Sequence, residues 1–180
     1  MKKIAAFTLA VASVLVLGGH TVWAQGYYGD ERAEFPGKEH AELAKSLKDV
    51  KVSLEKGILA SELEGKPISG KFEVEEDKLQ LSVYTMKGDT FSEVIVDHKT
   101  GKPAKVEAIT DGEDLTAAKA QGEAMAKAKV SLRAAIGKAI KANQGFRAVS
   151  AIPALKDGHP VAEIILIKDG AFKTVSETLD

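Results

Sequence analysis

The 180-residue sequence contains no cysteine. Disulfide bonds and thiolate metal sites are therefore excluded, and so is attachment of a lipid to an N-terminal cysteine. Aromatic residues make up only 6% of the chain, which argues against a surface that stacks carbohydrate rings. The net charge is −1, and lysines are interleaved with glutamates rather than clustered, so nucleic acid is not an expected partner. Stability must come from a hydrophobic core.

The apolar run near the N-terminus is too short to cross a membrane. It covers residues 4–17, which is 14 residues against the roughly 20 that a helical span needs. Two lysines precede this run, and Val22-Trp23-Ala24 follows it, with small or aliphatic residues at the positions that a signal peptidase reads, which is the order of a secretory signal peptide. We therefore expect cleavage after Ala24, no membrane span in the mature chain, and a periplasmic or secreted location.

Motifs of catalysis and metal binding are missing as well. His40, His98 and His159 remain after the signal, and no two of them have the spacing of metal ligands. No HExxH motif, glycine-rich phosphate loop or GxSxG elbow occurs. The segment KEHAE (38–42) leaves weak zinc binding open, although the start of a helix is the favoured interpretation. The sequence predicts no enzyme, no catalytic residue, no metal and no cofactor.

The tetrapeptide KVSL occurs twice, at residues 51–54 and 129–132, and each copy lies within apolar residues of helical spacing. The second pattern predicts one helix over residues 116–142, with Asp114 or Thr116 as its N-cap. The apolar stripe consists of Leu43, Leu47, Val50, Leu54, Ile58 and Leu63 in the first copy, and of Met125, Leu132, Ile136 and Ile140 in the second.

Alternating apolar segments follow each helical pattern and predict strands. They lie at 71–76, 78–86, 90–97 and 103–110 after the first copy, and at 146–155, 160–168 and 171–178 after the second. Because helix and strands recur in the same order, we interpret the chain as a tandem duplication. The predicted fold class is α+β, with two tandem units, each a long helix packed on a three- to four-stranded antiparallel sheet. The predicted organisation is a signal peptide at 1–24, a flexible N-terminal arm at 25–37, a first unit at 38–110 and a second unit at 114–180.

The first unit resembles the PepSY family. The resemblance is carried by LEKGI (54–58), which begins at the last residue of the first KVSL, and by VIVDHKTGKPAKV (94–106), in which a strand ends at Asp97 and a Thr-Gly turn leads into the next strand. It covers about residues 45–110 and, through the repeat, about 122–180. PepSY domains are small α+β units of exported bacterial proteins and of metallopeptidase propeptides. The resemblance therefore implies restraint or modulation of a peptidase, or other binding outside the cytoplasm, and no catalytic residues.

The expected function is that of a non-catalytic exported binding protein whose partner is a protein, a peptidase among the candidates, or a second copy of the chain. The alternative is a small-ligand carrier that binds its ligand between helix and sheet. The predicted docking region is the terminal strand, which lacks a counterpart of the 103–110 strand to pair with. Its site residues are Ala171, Phe172, Lys173, Thr174, Val175 and Ser176. Lys173 and Glu177 count against this hypothesis, since charges on an edge strand discourage pairing.

Overall fold

The computed structural model describes residues 37–180. The predicted signal peptide (1–24) and the predicted arm (25–37) lie outside the described residues, apart from Gly37. Within the described part of the chain, no helix is long and apolar enough to span a membrane.

Four α-helices and seven strands make up residues 37–180. The helices are α1 (Gly37–Ser46), α2 (Leu54–Ser61), α3 (Gly112–Lys127) and α4 (Leu132–Ala142), and a short 3-10 turn (Leu47–Asp49) follows α1. The strands are β1 (Lys66–Glu75), β2 (Lys78–Lys87), β3 (Thr90–Val96), β4 (Pro103–Ile109), β5 (Arg147–Lys156), β6 (His159–Lys168) and β7 (Ala171–Thr178). All seven predicted strands are therefore present, although β1 begins five residues earlier than predicted.

The strands form one sheet, so the predicted fold class of two tandem helix-on-sheet units is wrong. The strand order is β4-β3-β2-β1-β5-β6-β7, and every pair of neighbours is antiparallel. The strands of the two predicted units meet where β1 pairs with β5, with Gly70 opposite Ala151 and Lys71 opposite Ser150. Two separate sheets would leave β1 and β5 as edges with unpaired backbone groups, and their pairing removes both edges.

The predicted long helices are also wrong, because each is interrupted at its KVSL segment. The first pattern forms α1, the 3-10 turn and then α2, while the second forms α3 and then α4. Ser53 and Ser131 have extended backbones, and their hydroxyls cap α2 and α4 by accepting hydrogen bonds from the amides of Lys56 and Ala134. The α3 helix begins at Gly112, with Asp111 as its N-cap, rather than after Asp114 or Thr116.

The two KVSL segments make the same long-range contacts. The amides of Lys51 and Val52 both donate to the carbonyl of His98, just beyond β3, at 3.1 and 3.2 Å. The amides of Lys129 and Val130 both donate to the carbonyl of Leu179, just beyond β7, at 2.7 and 3.0 Å. The backbone is not helical at Lys-Val in either copy, where both amides turn to one distant carbonyl, and this explains why helical spacing does not continue as helix.

The helices α2 and α4 cover one face of the sheet and form the predicted core. Gly57 of α2 lies directly against the side chain of Leu81 of β2. Because glycine has no side chain, the helix can approach the strand closely at this point. Four residues of the predicted apolar stripe and four residues of β2 and β6 are all at most 2% exposed: Leu54, Ile58, Leu132 and Ile136 on the helices, and Leu81, Val83, Ile164 and Leu166 on the strands. Leu63 is 88% exposed, so its assignment to the apolar stripe is wrong.

The helices α1 and α3 lie on the opposite face. Gly122 of α3 packs against Met86 and Phe91, and Met86 points away from Leu81 because side chains alternate along β2. The Lys66 ammonium of β1 donates to the carbonyl of Met125 at 2.7 Å. In the same way, the Arg147 guanidinium of β5 donates to the carbonyl of Leu47 at 2.8 Å, so each of these helix ends is tied to one of the two central strands.

Candidate functional site

The predicted docking residues all lie on β7, at one end of the sheet. Within residues 37–180, β7 pairs with β6 on one side, and no strand pairs with its other side. The strand has eight residues and is mostly exposed, with Phe172, Val175 and Glu177 partly buried. The structure therefore places Ala171–Ser176 on an edge strand, and their role in binding stays a prediction.

The β6–β7 hairpin determines which backbone groups of β7 face outward. Its two-residue loop, Asp169-Gly170, has φ values of 49° and 83°, which is the type I′ geometry. In such a hairpin the closing pair, here Lys168 and Ala171, exchanges hydrogen bonds, and bonded and non-bonded pairs then alternate. Residues 171, 173, 175 and 177 therefore bond to β6, whereas Phe172, Thr174, Ser176 and Thr178 direct N–H and C=O outward. The bond from the Leu179 amide to the Pro160 carbonyl, at 2.8 Å, agrees with this alternation.

The side chains of β7 divide between the two faces of the sheet. The Lys173 ammonium donates to Asn143 Oδ1 at 2.6 Å, and Glu177 forms an ion pair with Lys138 at 2.6 Å, so both lie on the face of α4. The ring of Phe172 stacks on His40 of α1, with centroids 4.2 Å apart, on the other face. Because side chains alternate, Val175 shares the α4 face, whereas Thr174 and Ser176 share the face of Phe172. The two charges that counted against pairing are thus held by α4 instead of lying along the outward-facing residues.

The β2–β3 hairpin provides a comparison within the same chain. Its closing pair is Lys87 and Thr90, so the outward residues of β3 are Phe91, Glu93 and Ile95. They lie opposite Ile109, Glu107 and Lys105 of β4. The edge of β3 that matches the outer edge of β7 therefore carries an antiparallel strand.

A basic recess lies beside the start of β7. Its volume is about 680 Å³, and it lies between α1 and the β6–β7 hairpin. Four cations, Lys45, Lys48, Arg147 and Lys168, line it together with Asp169. None of the four forms an ion pair among the described residues. The sequence analysis missed this recess because its lysines and arginine come from α1, β5 and β6, which only the fold brings together.

A second recess, of about 320 Å³, is acidic and lies where α3 begins. The Tyr84 hydroxyl donates to Asp114 Oδ1 at 2.8 Å and connects β2 with α3. Burial, and then this hydrogen bond, raise the pKa of Tyr84 above its usual value. Burial also raises the pKa of Glu93, which lies opposite Tyr84 on β3. The sequence analysis missed this contact too, since nothing in the local pattern of Tyr84 indicates a partner 30 residues away.

The candidates for metal binding are not brought together. Residues 37–180 contain no cluster of three or more histidine or acidic side chains that could hold a metal ion. His40 stacks on Phe172, the His98 carbonyl accepts the two KVSL amides, and His159 lies beside Asp180 at 3.2 Å.

The Thr-Gly turn after β3 is held in place by the side chain of Asp97. Asp97 Oδ1 accepts hydrogen bonds from the amides of Lys99 and Thr100, at 2.9 and 2.7 Å, and from the Thr100 hydroxyl at 3.0 Å. The two amide bonds lower the pKa of Asp97, the Thr100 amide having the largest effect. Gly101 has a φ of 75°, a conformation that favours glycine.

Comparison with known proteins adds no functional assignment. No protein-family model matches the sequence, and no curated protein matches it. The structure is similar to the crystal structure of a "putative lipoprotein" from Clostridium difficile 630, with 15% identity and a TM-score of 0.41. The match covers 74% of this chain and 90% of the other. A superposition at this level carries no argument about function.

Proposed function

We propose that this protein is an exported, non-catalytic binding protein that accepts a strand of a protein partner on the outer edge of β7. The observation that carries the proposal is the outward alternation at Phe172, Thr174 and Ser176, whose backbone donors and acceptors have no partner strand within residues 37–180. In strand addition, such main-chain groups supply affinity and the flanking side chains supply selectivity. The partner strand is antiparallel, as β4 is on β3.

Export and the kind of partner rest on the sequence. The charged, apolar and small-residue order of residues 1–24 supports export to the periplasm or the medium. A relationship to PepSY domains is supported by the succession of α2, β1, β2 and β3 and by the turn at Asp97. A peptidase is a candidate partner because of that resemblance alone. The absence of catalysis is proposed because the sequence has no motif that pairs a nucleophile with a base.

The test removes one outward-facing amide of β7 without disturbing β6. In Thr174→Pro the ring replaces an N–H that bonds to no described strand, and proline is tolerated on the open side of edge strands. The control, Thr174→Val, keeps the amide and the shape of the side chain. The wild type and the two variants are each immobilised and exposed to an extract of the exported proteins of the cells that naturally make this protein.

The expected result is that one or more proteins are retained by the wild type and by Thr174→Val, and lost with Thr174→Pro. Far-ultraviolet circular dichroism checks that all three proteins are folded. Equal retention by a folded Thr174→Pro variant would overturn docking at β7, because a strand added there would need that amide.

The second candidate function is that of a small-ligand carrier, and the basic recess favours it. The four cations at the recess imply an anionic ligand rather than an apolar one. A carrier would lose a co-purified anion, detected by native mass spectrometry, in a Lys45→Ala/Lys168→Ala variant. Thr174→Pro would leave that anion bound, which separates the two functions.

A further inference from the structure

We infer that the partner strand is β7 of a second copy of this chain, so that two molecules form a symmetric dimer through their β7 edges. The inference rests on the proposed function, since it requires β7 to accept a strand. It states which strand binds to the edge of β7 and which residues of the two strands lie opposite each other. The argument depends on which residues of β7 can lie opposite each other.

Backbone geometry limits the possible registers. In an antiparallel pair of strands, two directly opposed residues either bond to each other through their backbone N–H and C=O groups, or both direct these groups away from each other. Thr174 can therefore lie opposite Thr174 or Ser176 of the second copy, but not opposite Val175. A two-fold axis also requires reciprocity: if a residue of the first copy lies opposite some residue of the second, then the same two residues lie opposite each other with the copies exchanged. The central registers place Thr174, Val175 or Ser176 on the axis.

Charge selects one of these registers. With Val175 on the axis, Lys173 of each copy lies opposite Glu177 of the other, which gives two complementary ion pairs. With Thr174 on the axis, Lys173 faces Val175 instead, and with Ser176 on the axis, Glu177 faces Val175. Opposite charges in directly opposed positions stabilise a pair of strands, so the register centred on Val175 is favoured.

The remaining pairs of this register are compatible as well. On the α1 face, Thr174 lies opposite Ser176, and Phe172 lies opposite Thr178. On the α4 face the two Val175 side chains meet at the axis, between the two ion pairs. Glu177 keeps its ion pair with Lys138 and lies between two cations. The two sheets of seven strands then form one continuous sheet of fourteen.

The first half of the molecule shows that an added strand fits beside such a hairpin. Phe91 of β3 is covered by α3, as Phe172 of β7 is covered by α1, and β4 still pairs along the outer side of β3. The second copy's β7 would take the place beside β7 that β4 takes beside β3.

The ion pairs are tested by charge reversal in two separate variants of the full chain. Lys173→Glu places two glutamates opposite each other in its own dimer, and Glu177→Lys places two lysines there. Each variant alone is expected to associate at least tenfold more weakly than the wild type. An equimolar mixture of the two restores complementary pairs at both positions and is expected to form a heterodimer. Sedimentation velocity over a concentration series measures both effects.

The register is tested by a single cysteine, which is possible because the chain has none. In Val175→Cys the two Cβ atoms are about 4.5–5.5 Å apart in a non-hydrogen-bonded pair, close to disulfide geometry. Oxidised glutathione is expected to convert this variant into a disulfide-linked dimer. Val106→Cys on β4 is the control, because Val106 is 44% exposed but lies at the other end of the sheet.

Three outcomes would overturn the inference: a wild type that stays monomeric at every concentration, failure of the mixed charge variants to associate, or equal cross-linking of the two cysteine variants. None of these contradicts the proposed function if Thr174→Pro still loses a retained protein. Conversely, equal retention by Thr174→Pro together with a monomeric wild type would overturn both.

Discussion

At the residue scale, the repeated KVSL segment has one job for each of its residues. The lysine and valine amides bond to a carbonyl beyond the third strand of the same half, the serine caps the next helix, and the leucine is at most 2% exposed. The repetition of KVSL in the sequence indicated that the four residues have the same role in both halves of the chain. The sequence predicted the wrong backbone for them, because apolar residues on both sides keep helical spacing across the non-helical Lys-Val-Ser.

Glu93 gives a prediction of pH dependence at this scale. Burial raises its pKa above the ordinary value of 4.5, so the ionised form is disfavoured in the folded state. Its contribution to stability is present below that ordinary value and is lost as the pH rises through the raised pKa. Glu93→Gln is therefore expected to raise the free energy of unfolding at neutral pH, and the gain should disappear in acid.

Urea titrations at neutral pH and below the ordinary pKa of glutamate measure this difference. Glu107→Gln is the matched control, since Glu107 lies opposite Glu93 on β4 but is 49% exposed and paired with Lys105. A gain for Glu93→Gln that is the same at both pH values would show that burial of the charge is not its cause.

At the element scale, strands were predicted better than helices. Strand prediction used alternation, which is local, and the hairpin loops at Gly88 and at Asp169-Gly170 lie between the strand segments that alternation predicts. Helix boundaries depended on contacts far along the chain. The end of α3 is one example, because Lys129 and Val130 leave the helical conformation to bond to Leu179.

The cap of α4 provides the test at this scale. Ser131→Ala removes the hydroxyl that accepts from the Ala134 amide and is expected to cost about 0.5–2 kcal/mol of stability. Ser46→Ala is the control, because Ser46 precedes the 3-10 turn without a side-chain capping bond. Chemical denaturation should therefore give a clearly lower midpoint for Ser131→Ala. Equal midpoints for the two variants would contradict the assignment of Ser131 as the start of a separate helix.

At the scale of the whole molecule, the sequence did not predict the joining of the strands into one sheet. Alternation shows which residues share a face, but Gly70 and Ala151 carry no local signal that they lie opposite each other. For the same reason the basic recess and the Tyr84–Asp114 contact were not predicted. The position of β7 at an edge could be predicted from the sequence, because it depends only on β7 being the last strand, with no strand following it to pair with.

The most direct test of the central claim is residue-resolved amide exchange along β7, measured by NMR in the free and in the associated protein. In the free protein, Lys173, Val175 and Glu177 bond to β6 and should exchange slowly, whereas Phe172, Thr174 and Ser176 should exchange fast. On association, whether with a partner or with a second copy, the amides of Phe172, Thr174 and Ser176 should become protected, whereas the slowly exchanging amides should change little. Association that protects amides elsewhere and leaves Phe172, Thr174 and Ser176 exchanging fast would contradict docking at β7.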